Sequence, residues 1–257
     1  MRVNQAMNIE GQGQPLPIGS VISRGWQAFA RAPWLFVSFT LVGLLLSFFT
    51  QWLQDLASNG FDGDGSPFGW ILLFLVGLVL NIIVSLWLNI GLFRGAWLSL
   101  GGTRPSWKDF TRWDGLAMGR LFLMALLLLG VNVLILIVAG LSGALLSLIR
   151  FELSALPLLA GMLVILYVAV TQMFHLPLVV ARAEAPLQAF QSGRRTIDPQ
   201  FFRLLGFGVL MMLIGLVGLL IVGIGVLVAA PVVACSLVAA YQHLYDREDL
   251  GGFLSAD

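Results

Sequence analysis

Five polar side chains stand deep within otherwise apolar stretches of this chain. They are Asn81, Asn89, Asn132, Gln172 and His175. In hydrocarbon an amide or an imidazole needs a hydrogen-bond partner, so these residues either join helices or line a polar path for a ligand. Asn81 and Asn89 are eight residues apart and fall close to one face of a helix, whereas Gln172 and His175 are three apart and share a face.

His175 has the widest range of chemistry. A neutral imidazole is a common metal ligand, so ligation of haem iron or chlorophyll magnesium is one interpretation, and binding of a substrate is another. A contact between helices is the interpretation that a lone histidine favours. The residue stands in an apolar block that predicts a helix from about Leu156 to Ala181. Because Pro177 cannot bond back to residue 173, we expect a kink there.

Signs of catalysis are lacking. No acidic residue lies near the middle of any predicted span, and intramembrane carboxylates usually mark proton or cation coupling. The sequence has no phosphate-binding loop, zinc-ligand spacing or hydrolase triad. Cys235, the single cysteine, stands two turns from His243 without a supporting acid. We therefore predict a non-enzymatic protein without a metal cofactor.

Long uncharged blocks predict the elements that position these residues. They cover residues 32–54, 65–93, 121–149, 153–181 and 204–245. Each exceeds the ~20 apolar residues that a membrane-spanning helix needs. Charged residues make up 11% of the chain, whereas soluble domains have about 25%. The sequence therefore predicts an all-α, polytopic helical membrane protein.

The last block decides the number of spans. As one helix its 42 residues would be ~63 Å long, about twice the hydrocarbon core. A break at Gly223-Ile224-Gly225 gives spans Phe202–Val222 and Val226–Leu244 and six transmembrane helices in all. A break at Pro231 instead leaves a short final helix on the surface and five spans. We predict six, with five as the alternative.

The cations predict the orientation. In the six-span arrangement, 13 of the 14 Lys and Arg residues share a side, and only Arg150 lies opposite. By the positive-inside rule both termini face the cytoplasm, in a bacterial-type plasma membrane or a thylakoid-type membrane. Some of these cations should converge on a cytoplasmic rim, where they either hold the topology or bind anionic lipid headgroups or an acidic partner. They are Arg112, Arg120, Arg194, Arg195 and Arg203.

A short amphipathic stretch precedes each predicted hairpin. The three stretches, Ser20–Ala32, Ser106–Met118 and Pro186–Ile197, are typical of interfacial helices on the cytoplasmic surface. This pattern predicts a flexible tail at 1–17, one transmembrane domain at 18–246 and a cytoplasmic tail at 247–257. Within the domain, either hairpin repeats occupy 18–100, 105–182 and 186–246, or the stretches are ordinary amphipathic linkers.

The last third of the chain carries a family resemblance. Ala185-Pro186-Leu187-Gln188-Ala189-Phe190-Gln191-Ser192 leads into Phe201-Phe202, and Pro231 and Ala239-Ala240-Tyr241 follow. These motifs resemble small six-span bacterial membrane proteins of uncharacterised function. They are also similar to the membrane domain of some glycerophosphodiester phosphodiesterases. The resemblance covers about 185–245 and implies an architecture; the phosphodiesterase activity resides in a soluble domain and is not carried over.

Together these features predict an accessory or lipid-interacting component of a membrane assembly. Its expected partners are membrane lipids and other membrane-protein subunits, and the net charge of +1 gives no nucleic-acid footprint. One alternative is a small permease or channel with a polar path along Asn81, Asn89, Gln172 and His175. A further alternative is pigment or haem binding through His175.

Overall fold

The computed structural model describes residues 16–60, 67–220, 224–245, 249–250 and 252–253, and within these ranges the chain forms helices and no strand. The α-helices are α1 (Ile18–Ala30), α2 (Pro33–Gly60), α3 (Pro67–Leu100), α4 (Trp107–Thr111), α5 (Gly115–Ser147), α6 (Ala155–Thr171), α7 (His175–Val180), α8 (Pro186–Ile197), α9 (Phe201–Leu220) and α10 (Val226–Leu244). Short 3-10 turns, Phe151–Ser154 and Asp198–Gln200, lead into α6 and α9. The predicted all-α class is confirmed.

Within the described ranges, six helical segments are long and apolar enough to cross a bilayer. They are Pro33–Gly60, Phe68–Leu100, Gly115–Ser147, Phe151–Thr171, Pro186–Leu220 and Val226–Leu244. The predicted six-span, multi-pass architecture is therefore confirmed. The five-span alternative required a break at Pro231, but Pro231 lies inside the continuous helix α10.

The last uncharged block divides where its glycines predicted. Helix α9 ends at Leu220 and α10 begins at Val226, while Gly223 itself lies outside the described residues. The two helices approach closely after the turn, because a Cβ atom at Gly218 would lie only 2.5 Å from the Cβ atom of Ala229. A glycine at this position lets the backbones meet.

Two of the three predicted amphipathic helices form as expected, and the middle one does not. Helix α1 matches Ser20–Ala32 closely, and α8 has the predicted bounds. In the middle stretch, α4 ends at Thr111 because Arg112 has an extended backbone (ψ 126°). A new helix then starts after Asp114, whose Oδ1 accepts a hydrogen bond from the Ala117 N–H at 3.0 Å. Local side-chain capping thus splits one predicted helix into two.

The tails are anchored at their described ends. Leu16 is fully buried, and its N–H donates to Oε1 of Gln200 at 3.2 Å, so ordered structure has begun by this residue. The remainder of the predicted N-terminal tail, residues 1–15, lies outside the described residues. Within the predicted C-terminal tail, Phe253 is buried and its N–H donates to Oδ1 of Asp249 at 3.1 Å.

The chain forms two compact units that differ from the predicted repeats. The first unit is built on Gly119–Leu210, and of the described residues near the two ends of the chain it also contains Leu16, Leu244 and Tyr245. The second combines Pro17–Met118 with Met211–His243. In the core of the second unit, the Phe110 ring lies 5.0 Å from the Phe36 ring and 5.2 Å from the Phe39 ring, centroid to centroid. The hairpin repeat stays a prediction.

Candidate functional site

A cavity of about 190 Å³ lies in the first unit beside the interruption between α6 and α7. Three of the polar residues selected from the sequence, Asn132, Gln172 and His175, belong to its lining. The other lining residues are apolar: Leu128, Val168, Ala169 and Met173. An engineered cavity of about 150 Å³ binds benzene, so this space suits a small group rather than a macrocycle. It gives no support to pigment or haem binding.

The helix is interrupted earlier than the sequence predicted. We expected one helix from Leu156 to Ala181 with a kink at Pro177, but α6 ends at Thr171 and α7 begins at His175. In an unbroken helix the Pro177 ring would clash with the carbonyl group of residue 173. As the third residue of α7, Pro177 instead occupies a first turn, where the missing N–H costs no hydrogen bond. The break therefore precedes the proline.

The interruption fixes the orientation of His175. Its Nδ1 atom lies 2.8 Å from the backbone oxygen of Gln172. Because a carbonyl oxygen can only accept, Nδ1 carries a proton, and Nε2 of the neutral ring keeps its lone pair. Among the residues that the structure describes, no donor bonds to Nε2. This atom can accept a hydrogen bond from a ligand.

Gln172 joins helices. Its side chain is 3% exposed, and Nε2 donates to the backbone oxygen of Phe190 in α8 at 3.0 Å. Gly193 packs against the same turn, since a Cβ atom there would lie 2.7 Å from the backbone oxygen of Thr171. Oε1 of Gln172 has no partner in the described parts of the chain. The residue thus fastens α8 to the end of α6.

Asn132, a residue of the cavity lining, uses only its amide nitrogen in the hydrogen bonds of the described residues. Its Nδ2 atom donates to the backbone oxygen of Leu128, one turn earlier in α5, at 2.7 Å. A carbonyl oxygen can only accept a hydrogen bond, so the side-chain atom that contacts it must be the amide nitrogen. The other terminal atom of the Asn132 side chain is therefore the oxygen Oδ1. Within the described ranges Oδ1 has no hydrogen-bond partner. Asn132 and His175 therefore both keep an unused acceptor.

The remaining two amides belong to the second unit. Asn81 joins α3 to α2, because its Nδ2 donates to Oγ1 of Thr50 at 2.9 Å. Asn89 is exposed and donates to the backbone oxygen of Ser85 in its own helix at 2.8 Å. The polar path that would connect these amides with Gln172 and His175 stays a prediction.

The arginines of the predicted rim fall into two groups. Arg120, Arg194, Arg195 and Arg203 belong to the first unit, and Arg112 belongs to the second. Arg195 and Arg203 are exposed. The Nε atom of Arg194 lies 3.6 Å from a carboxylate oxygen of Asp198. Three of the five cations thus lie on α8 and at the start of α9, while convergence of all five stays a prediction.

Arg94 is the polar residue whose role the sequence did not reveal. Arg94 and Trp97, in the last two turns of α3, are both buried, with 2% and 6% of their surface exposed. Arg94 donates to the backbone oxygens of Asp109 (3.3 Å) and Arg112 (3.2 Å), and it pairs with the Asp114 carboxylate at 3.4 Å. The turn around α4 covers the end of α3 and supplies these acceptors, so the charge is held inside the protein.

A second polar group lies between α7 and α8. Nε of Arg182 is 3.5 Å from a carboxylate oxygen of Glu184, and its guanidinium carbon is 5.9 Å from the ring centroid of Tyr245. Ala183 between them has φ +54°, which residues with a Cβ atom rarely adopt. Burial raises the pKa of Tyr245 to about 12. These contacts fix the connection between α7 and α8.

Comparisons with protein-family models, with curated proteins and with solved structures give no match for this chain. The resemblance to six-span bacterial proteins and to the membrane domain of phosphodiesterases therefore stays a prediction. In the described part of the chain, no group of three or more His, Cys, Asp or Glu side chains is arranged to hold a metal ion.

Proposed function

We propose that the protein is a non-enzymatic membrane component that works through its outer surface, in contact with lipids and other membrane-protein subunits. The small buried share of two of its spans carries this proposal. In the most apolar 18-residue stretch of each span, only 6% of Phe68–Leu100 and 11% of Gly115–Ser147 is buried inside the protein. The apolar side chains of these helices need cover from lipid tails or from a partner's helices.

The cations on α8 and α9 support a preference for anionic lipids. Arg195 and Arg203 are exposed, and the same two helices, α8 and α9, also carry exposed apolar side chains, Leu187 (61%) and Phe202 (84%). A helix with cations and exposed apolar residues suits the headgroup region, where each cation near an anionic surface contributes about 1 kcal/mol. We assign this basic surface to the cytoplasmic side of a bacterial-type membrane.

Loss of one such cation should weaken lipid retention. We expect the full-length protein, purified in mild detergent, to retain anionic phospholipid, and Arg203→Gln to retain about fivefold less, which corresponds to about 1 kcal/mol. Native mass spectrometry of the two proteins measures the lipid-bound fractions. Added phosphatidylglycerol should restore binding to the wild type more effectively than phosphatidylcholine.

Arg150→Gln is the matched control, because Arg150 is also exposed but lies on the opposite side in the predicted topology. Its lipid-bound fraction should remain within about twofold of the wild type. Equal losses in the two variants would contradict a specific basic surface. A wild-type protein that emerges without lipid or partner would contradict the proposed function.

A further inference from the structure

We propose that the cavity beside the α6–α7 interruption binds the hydroxyl end of an uncharged amphiphile, such as a long-chain alcohol, that enters from the bilayer hydrocarbon. This site is distinct from the basic surface of α8 and α9. It goes beyond the proposed function, because it assigns an internal site and the chemistry of its ligand. Its test does not depend on the arginines.

The lining excludes a charged ligand. Four of its residues are apolar, two are neutral amides, and one is the His175 imidazole. An ionic headgroup would lose its hydration here without gaining an opposite charge. An uncharged headgroup avoids that cost, so the ligand is neutral at its polar end.

The unused polar atoms require a hydrogen-bond donor. Nε2 of the neutral His175 ring and Oδ1 of Asn132 are acceptors, because the other end of each group is already bonded to a backbone oxygen. A hydroxyl group supplies a donor that the lining lacks: it donates its one hydrogen to one of these acceptors, and its oxygen can receive the second N–H of the Asn132 amide. An ether or an ester lacks the hydrogen and leaves both acceptors unsatisfied.

The position of the walls indicates where the ligand comes from. Leu128 and Asn132 belong to the span Gly115–Ser147, and Val168 and Ala169 belong to the span Phe151–Thr171. A ligand therefore reaches the cavity at membrane depth, where apolar molecules concentrate. About 190 Å³ holds a hydroxyl group and the first carbons of a chain. The rest of the chain lies along the exposed apolar side chains of these spans.

Photocrosslinking of the full-length protein in lipid nanodiscs tests the site. The probe is hexadecan-1-ol with a diazirine near the hydroxyl, and its methyl ether and the corresponding carboxylic acid serve as comparison probes. We expect the alcohol to label the lining, above all Leu128, Val168 and Met173, as mapped by peptide mass spectrometry. His175→Phe should reduce this labelling about three- to twentyfold, the range for hydrogen bonds between groups in membranes.

Asn89→Leu is the control, because Asn89 is an exposed amide in the second unit, and among the described residues its side chain bonds only to its own helix. Its labelling should match the wild type. Equal labelling of the lining by the ether or the acid would overturn the proposal, as would labels spread evenly over the exposed spans. If His175→Phe does not fold, a competition experiment on the wild-type protein tests the site instead. Unlabelled hexadecanol should reduce labelling by the alcohol probe, and its methyl ether should not. Equal reduction by both compounds would overturn the proposal.

Discussion

Protein acceptors replace the water that Arg94 loses on burial. The acceptors are backbone oxygens of the α4 turn and the Asp114 carboxylate. Removing one member of a buried ion pair leaves the other charge uncompensated, which typically costs about 3–5 kcal/mol. The contact of Arg94 with Asp114 therefore couples the end of α3 to the start of α5.

We expect Asp114→Asn to destabilise the protein by about 3 kcal/mol. The lower end of the range applies because the Asp114 side chain is 19% exposed. A fall in the thermal unfolding midpoint of the detergent-solubilised protein measures this loss. Asp55→Asn, at an exposed carboxylate of α2, should leave the midpoint unchanged. Equal midpoints for the two variants would contradict a structural role for the pair.

For individual polar residues, the sequence identified the residue types but not their hydrogen-bond partners. An amide or imidazole in an apolar block stands out by composition, so Asn132, Gln172 and His175 were found in advance. Their grouping around one cavity depends on the break after Thr171, which comes several residues before the proline that causes it. Arg94 was missed because a long side chain at a helix end usually extends to the interface. Only the course of the α4 turn buries it.

Helices α1 and α10 cross at a point where a side chain has no room. A Cβ atom at Gly25 would lie 2.7 Å from the Cα and N atoms of Ser236, so backbone rather than a flexible side chain would have to move. We expect Gly25→Ala to destabilise the second unit by about 1–3 kcal/mol through overpacking. The thermal unfolding midpoint in detergent is the readout.

The same helix contains a control. A Cβ atom at Gly19 meets nothing within 4 Å. Gly19→Ala should therefore leave stability unchanged or raise it by about 1 kcal/mol, because alanine favours helix more than glycine does. A Gly25→Ala protein as stable as Gly19→Ala would show that the crossing is looser than the structure indicates.

Element boundaries followed from the sequence where charges and glycines mark them. The 42-residue block could not be one span, and the glycines near residue 224 were the weakest point for a helix, so α10 begins at the predicted Val226. The division of 106–118 was not predicted. Its apolar residues keep a helical spacing throughout, and the break depends on the Asp114 side chain capping α5 from within that stretch.

The orientation of the whole molecule gives a further prediction. With both termini cytoplasmic, Ser58→Cys at the end of α2 should react with a membrane-impermeant maleimide added to intact cells, and Thr111→Cys in α4 should not. Asp62→Cys should also react, and Ser255→Cys should not, although both positions lie outside the described residues. Cys235 is fully buried and should add little background.

Permeabilised cells provide the control for accessibility. Thr111→Cys should then react, which would show that its protection in intact cells came from the membrane. External labelling of Ser255→Cys would place the C-terminus outside and contradict an even number of spans with a cytoplasmic N-terminus. Protection of Ser58→Cys before permeabilisation and reaction after it would reverse the proposed orientation.

The pairing of distant segments into units was beyond sequence reasoning. Hydropathy shows that each span prefers apolar surroundings. Lipid tails or any neighbouring span can provide them, so hydropathy does not select which spans pack together. The choice depends on close contacts such as Gly25 with Ser236, and on rings such as Trp97 and Tyr241, whose centroids are 5.9 Å apart. Small and aromatic residues occur in every span, so their partners could not be selected in advance.

The composition of the second unit has a consequence for biosynthesis. Its last segment, Met211–His243, is translated after the whole of Gly119–Leu210. At about 5–20 residues per second, the ribosome takes roughly 6–25 seconds to pass from Met118 to His243. The final span, Val226–Leu244, has the lowest hydropathy of the six and the largest buried share, 56%. Until that segment has been made, the N-terminal helices of the unit cannot form their contacts with it, such as the contact of Gly25 with Ser236.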